Sequence, residues 1–265
     1  MNHNLEEGAA PAHSPIHISL KAEPVFYLGS FAITNSLLLS CIILGLLGSI
    51  AVFGRRKLSL VPGKIQNIFE LFLEGILSLM DSVFADRHKS EKYMPFIATV
   101  FLFILCSNWF GLLPGVGSIV VHEGAHSTPL LRAPSADLNF TLALAIIAVL
   151  SVNILGAAAI GTASRLKTFF NFSDPISFFI GLIELVSEFA KMISFSFRLF
   201  GNVFAGEVLL TIVGFLAPYF VPLPFLFLEV FVGFVQALIF SMLSIVFIGI
   251  ATVDHHGEEH APRHG

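Results

Sequence analysis

Residues 175–217 read PISFFIGLIELVSEFAKMISFSFRLFGNVFAGEVLLTIVGFLA, and no proline or polar turn interrupts positions 176–217. At about 1.5 Å per residue, a helix of this length reaches roughly 60 Å, about twice the hydrocarbon thickness of a bilayer. An upright single crossing does not fit, so the stretch is expected to lie strongly tilted. Inside it stands Arg198. Its guanidinium stays charged at any accessible pH and costs about 3 kcal/mol or more at bilayer depth. A charge placed there needs a reason, and the rest of the chain is read as scaffolding for it.

Counting about 100° per residue from Glu184, the residues Ser187, Glu188, Lys191, Ser194, Arg198 and Asn202 share with it one arc of about 120°. The other faces hold Phe, Leu, Ile and Val, which suit lipid or helix contacts. Glu207 falls almost opposite Arg198, as a second, isolated carboxylate. Lys191 has Glu188 and Glu184 within helical reach, so an internal ion pair accounts for it as well as a functional role does. Arg198 differs. Positions three and four residues away hold Ser194, Phe195, Gly201 and Asn202, none of them acidic. A carboxylate for it must come from elsewhere, another subunit included.

The apolar run breaks at Pro218 to Pro224 and resumes over 220–253. There Glu229 and Gln236 share one face at heptad spacing, with Gly233 between them. In an antiparallel hairpin Gln236 falls beside Arg198 and Glu229 beside Glu207. Two short polar tracks then approach the middle of the membrane without joining. Carboxylates at that depth hold protons more tightly, because desolvation disfavours their charged form. A fixed cation drives the proton off a mobile carboxylate, and blocks direct proton flow between the tracks.

The remaining chain is read outward from this hairpin. Of 265 residues, 55% are hydrophobic and 12% charged, with mean hydropathy +0.87. A soluble domain carries about twice that share of charge, so the class is an all-α polytopic membrane protein in a single membrane domain. The net charge of -4 gives no argument for nucleic acid as a partner. Residues 1–30 form an extracytoplasmic arm lacking the pattern of a cleavable signal. A first upright span covers 32–53 and ends in Arg55-Arg56-Lys57, which places that end in the cytoplasm. Over 64–86, Ile65, Ile68, Phe69, Phe72, Leu73, Ile76, Leu79, Met80 and Val83 recur opposite Lys64, Glu70, Glu74 and Asp81. That pattern predicts an interfacial amphipathic helix. Two further spans cover 93–113 and 138–162, the second returning to the cytoplasm at Arg165 and Lys167. Residues 254–265 are a polar cytoplasmic tail, whose histidines read as solvated chain with at most weak metal affinity. Cys41 and Cys106 sit in apolar runs as small hydrophobes. No cofactor or metal site is read from the sequence.

The run Phe197-Arg198-Leu199-Phe200-Gly201-Asn202-Val203-Phe204-Ala205-Gly206-Glu207 resembles the signature of subunit a of F-type ATP synthases, the membrane stator beside the rotating ring. The likeness extends through Asn108 with Leu112-Leu113-Pro114, through Pro134-Ser135-Ala136-Asp137-Leu138-Asn139, and through Gln236-Ala237-Leu238-Ile239-Phe240. It implies that Arg198, with Gln236 and Asn202 near it, faces the ring carboxylate. It implies further that Glu207, Glu229, Asn108, Asp137 and Asn139 line an outer half-channel, while Glu184 and Ser187 serve the cytoplasmic exit, and Lys191 is counted with the proton-translocating residues. Asp137 is equally read as the N-cap of the following helix. In the family, the position of Gly111 is acidic in some members and that of Glu229 is sometimes histidine. The implied partners are the c-ring, the peripheral-stalk b subunits, membrane lipid and the transported proton. The implied setting is a bacterial inner membrane, with the N-terminus outside and the chain itself non-catalytic. A self-contained secondary transporter binding an anion at Arg198 is the competing reading. The absence of an inverted repeat and the unbroken helix at Arg198 argue against it.

Overall fold

A computed structural model describes residues 22–29, 31–55, 63–117, 120–123, 126–169 and 174–252. Arg56, Lys57, most of the N-terminal arm and the histidine-rich tail lie outside the described residues. The end of the arm is a small antiparallel hairpin, β1 (Pro24–Leu28) with β2 (Phe31–Thr34), turned at Gly29 with φ +65°. It leads directly into helix α1 (Asn35–Arg55).

Helix α2 (Lys64–Phe84) meets α3 (Arg87–Gly111) at a two-residue elbow. Ala85 adopts a left-handed conformation (φ 51°), and the Asp86 side chain accepts from the backbone N–H groups of His88 (3.0 Å) and Lys89 (3.4 Å). That cap starts α3 at Arg87, ahead of the apolar run expected to open at 93, since capping and not hydrophobicity decides where a helix begins. Arg87 braces the elbow by donating to Asp81 at 2.7 Å and Glu91 at 3.1 Å. The apolar face of α2 buries Met80 and Ile76 against the bundle, while Ile68 and Leu71 remain about two-thirds exposed. An element apolar beyond what its neighbours cover suits a bilayer interface.

After α3 come β3 (Pro114–Gly117) and a hairpin of β4 (Val120–Glu123) with β5 (His126–Pro129). A 3-10 turn at Pro134–Ala136 then delivers α4 (Leu138–Ile160), followed at once by short α5 (Thr162–Phe169). Gly161 makes that corner with φ +93°. The chain closes with α6 (Pro175–Leu216), an unbroken helix of 42 residues, and α7 (Pro222–Ala251). Among the described residues five helices, α1, α3, α4, α6 and α7, are long and apolar enough to cross a membrane.

Helices α3, α4, α6 and α7 pack around one core. Leu199 of α6 is fully buried there, with Phe195 stacked on Phe240 of α7 at 4.5 Å. Small residues set the closest crossings, as is usual where lipid supplies no hydrophobic drive between helices. At Gly156 an added Cβ would meet the Ala251 carbonyl oxygen at 2.8 Å, so α4 and α7 touch backbone to backbone. Elsewhere α6 is bare: Ile176, Val186, Phe189, Ile193 and Phe197 all point outward.

Candidate functional site

Helix α6 gathers the polar arc into two groups with Arg198 between them. The first group is an ion-pair cluster. Lys191 Nζ donates to Glu188 Oε1 at 2.8 Å and lies 3.7 Å from Glu184 Oε1. It also sits 4.8 Å from the centroid of the Phe247 ring on α7. Glu188 is only 7% exposed and is answered twice more. Asn153 of α4 donates to its Oε2 at 2.9 Å, and Arg165 of α5 stands 3.8 Å from its Oε1. Arg165 in turn donates to Asn153 Oδ1 at 2.7 Å. Gly181 makes this possible, because the Phe169 carbonyl lies directly over its Cα, where any side chain would collide. Helix α5 can therefore fold back and present Arg165. A cavity of about 20 Å³ remains among these groups, room for a single water. Ser187 is half-buried on α6 one turn from this cluster.

The second group lines a cavity of about 350 Å³, whose polar walls are Asn108, Arg132, Asn202, Glu207, Glu229 and Gln236. Helices α3 and α7 are joined here by two side chains: Asn108 Nδ2 donates to the Gly233 carbonyl, and Trp109 Nε1 to the Val230 carbonyl, both at 3.0 Å. Gly233 permits the approach, since an added Cβ would lie 3.1 Å from Asn108 Cβ. Arg132, from the loop before the 3-10 turn, is 6% exposed, and its Nη2 donates to Glu207 Oε2 at 3.1 Å. The Glu229 carboxylate lies against Gly206, the residue preceding Glu207, in the space a side chain there would fill. Asn202 Nδ2 donates to Gln236 Oε1 at 2.7 Å, bridging α6 and α7 at the cavity wall. Gln236 Nε2 and Asn108 Oδ1 are buried with no hydrogen-bond partner among the described residues.

Arg198 stands two turns from Lys191 and one turn from Asn202 on α6. It is half-buried, and its Nη2 reaches Ser194 Oγ at 3.4 Å. Among the described residues no carboxylate pairs with it, whereas Arg132, Arg165 and Lys191 each have one. Beside it, Ala190, Ser194, Gly201 and Ala205 form an exposed strip of small residues.

The cross-hairpin placement expected from the sequence has a specific form here: Gln236 meets Asn202, one turn from Arg198, and Glu229 reaches the backbone beside Glu207. Glu207 is not the isolated carboxylate its helical angle suggests, because Arg132 from a distant loop answers it. Asp137 caps α4, its Oδ1 accepting from Asn139 N–H at 3.1 Å and its Oδ2 from the Ser36 hydroxyl at 3.0 Å. Neither Asp137 nor exposed Asn139 is on the cavity wall. The sequence reading missed Arg132 and Asn153, and took Arg165 only as a topology marker. Arg132 lies just before the Pro134-Ser135-Ala136-Asp137 run, which was the one available signal.

Fold and site together define a polytopic all-α membrane protein with a half-buried guanidinium between two polar recesses. The model of the ATP synthase A chain family matches residues 35–249. ATP synthase subunit a of Campylobacter jejuni subsp. doylei is 37% identical over 211 residues, covering 78% of this chain and 85% of that protein. Two proteins of the same name from Campylobacter jejuni subsp. jejuni are each 36% identical over the same shares. The chain belongs to the ATP synthase A chain family.

Proposed function

We propose that this chain is the proton-translocating stator subunit a of the Fo sector of an F-type ATP synthase, non-catalytic by itself. The 350 Å³ cavity with Glu207, Glu229 and Asn108 is the outer half-channel, ending at Asn202 and Gln236. The recess at Glu184, Ser187 and Lys191 belongs to the cytoplasmic exit. Asp137 and Asn139 serve the mouth of the outer path chiefly by starting α4. A ring of proton-carrying subunits passes the strip of small residues beside Arg198, and a peripheral stalk of b subunits holds the stator still. The chain sits in a bacterial inner membrane with its N-terminus outside and its C-terminus in the cytoplasm.

One observation carries this reading: among the described residues Arg198 has no carboxylate partner, in a protein that pairs the cations of both recesses. A permanent charge in hydrocarbon costs several kcal/mol unless answered, so a carboxylate supplied by another subunit is the counter-charge this reading gives it. A ring carboxylate arriving at Arg198 loses its proton to one recess and holds its charge there. Moving off into apolar surroundings, it must take a proton from the other recess. Because Arg198 stands between the recesses, a proton crosses only by riding the ring.

The test is ATP-driven proton uptake by membrane vesicles bearing the whole complex with Arg198→Ala. Pumping is expected to vanish with the subunit still present, and pumping at the wild-type rate would defeat the proposal.

A further inference from the structure

Two side-chain hydrogen bonds among the described residues join α4 to α6. One is the Asn153–Glu188 contact of the ion-pair cluster. The other lies on the wall of neither recess: Thr141 Oγ1 and Ser196 Oγ stand 3.2 Å apart, and both residues are fully buried. Each hydroxyl has one proton to give. Thr141 donates its own to the Leu138 carbonyl at 3.1 Å, so in the pair Ser196 is the donor and Thr141 the acceptor. We propose that Thr141 is a positioning residue for Arg198: by holding Ser196 it fixes the rotation of α6 that turns the guanidinium away from the bundle. The inference rests on the reading of Arg198 as the charge that a ring carboxylate meets.

Ser196 precedes Arg198 by two residues, about 200° around the helix, so the two side chains leave α6 on nearly opposite sides. What holds one therefore aims the other. The neighbours of Ser196 on the buried face, Phe195, Leu199 and Phe200, are apolar. Apolar contacts are non-directional and tolerate a small turn of the helix, whereas a hydrogen bond weakens steeply as its angle is lost. Thr141 is itself firmly held. It lies one turn inside α4 and its N–H donates to the Asp137 carbonyl at 3.0 Å. The Asp137 carboxylate in turn caps α4 and accepts from Ser36 of α1. On the other side of Arg198 along α6, Asn202 is tied to Gln236 of α7. Arg198 thus stands between two points of one helix that are fastened to different neighbours. The Asn202 and Glu188 contacts persist when Thr141 is changed, so α6 turns only slightly. With no carboxylate partner among the described residues, Arg198 follows the helix.

The experiment uses inverted membrane vesicles bearing the intact synthase, with every rate normalised to the amount of the chain in the membrane. Two rates are read: ATP-driven proton uptake, and the decay of an imposed pH gradient with ATP absent. Thr141→Val replaces the hydroxyl by a methyl group and is expected to slow uptake about fivefold, the scale of one ordinary hydrogen bond. Decay is expected to quicken at the same time, because a displaced guanidinium no longer closes the way between the recesses. Ser196→Ala, which removes the same bond from the α6 side, is expected to match it in both rates. Thr141→Ser keeps the hydroxyl and is expected to stay within about twofold of wild type. The double variant Thr141→Val with Ser196→Ala is expected to be no slower than either single change, since the two groups act as one pair. Slow uptake in Thr141→Val and Ser196→Ala with decay as in wild type would overturn the proposal and leave the pair a packing contact only. Thr141→Ser as slow as Thr141→Val would overturn it too, by showing that the hydroxyl is not what Thr141 supplies. So would wild-type uptake in both single variants where Arg198→Ala abolishes uptake. Wild-type uptake in Arg198→Ala would instead remove the reading on which the inference rests.

Discussion

Asn202 and Gln236, on the two arms of the α6–α7 hairpin, share a 2.7 Å hydrogen bond one turn from Arg198. Gln236 is 2% exposed, and this bond satisfies its carbonyl oxygen in the wall of the larger cavity. The pair thus fixes the register of the hairpin at the level where the fixed charge stands.

Asn202→Ala removes the donor and leaves the buried Gln236 oxygen unanswered, a loss of about 1–3 kcal/mol. We expect a lowered thermal midpoint of the solubilised complex and slower proton pumping. Gln236→Leu in the same background should recover part of the midpoint but none of the pumping. Both are read by a melting curve and an uptake assay on the same preparations.

Arg198→Lys keeps a cation yet should not restore pumping. An ammonium lacks the planar fork that meets a carboxylate with two parallel hydrogen bonds, and it loses its proton more readily when enclosed. ATP-driven uptake by vesicles of this variant is expected to match that of Arg198→Ala.

Glu188 is the hub of the second recess, touched by Lys191, Asn153 and Arg165. Glu188→Ala takes the shared carboxylate from Arg165 and Asn153 and leaves Lys191 only Glu184 at the rim, a cost of about 3–5 kcal/mol for a broken buried pair. The amount of subunit in the membrane should fall sharply, measured by immunoblot. Glu184→Gln, at the rim of the same cluster, should leave the amount unchanged and slow uptake instead.

Gly206→Ala tests the Glu229 position with little threat to the fold. The new methyl group would occupy the place of the Glu229 carboxylate, which is the movable end of a long side chain. The complex should assemble normally while uptake slows several-fold, comparable with one misplaced group in a proton path. Wild-type uptake would show that the location of this carboxylate is immaterial.

How much of this was legible in the sequence depended on the range of each interaction. Spacing within one helix was enough for the polar arc of α6, because residues a turn apart must share a face. The Glu188–Lys191 pair was visible for that reason. Composition sufficed for the five long apolar helices, since only runs of that length match a bilayer. The Arg132–Glu207 and Arg165–Glu188 contacts were not visible, because each joins residues that only tertiary folding brings together. The start of α3 at Arg87 was missed for a different reason. A single carboxylate at Asp86 sets it, and the hydropathy of the following residues carries no sign of that.

Helix α6 runs past both recesses as one continuous α-helix of 42 residues. It therefore works as a ruler. The phase between the Lys191 cluster, Arg198 and Glu207 is written in the count of residues separating them. One residue inserted between Lys191 and Arg198 would swing everything beyond it by about 100° and advance it by about 1.5 Å. The guanidinium would then face its own bundle, with every side chain still present.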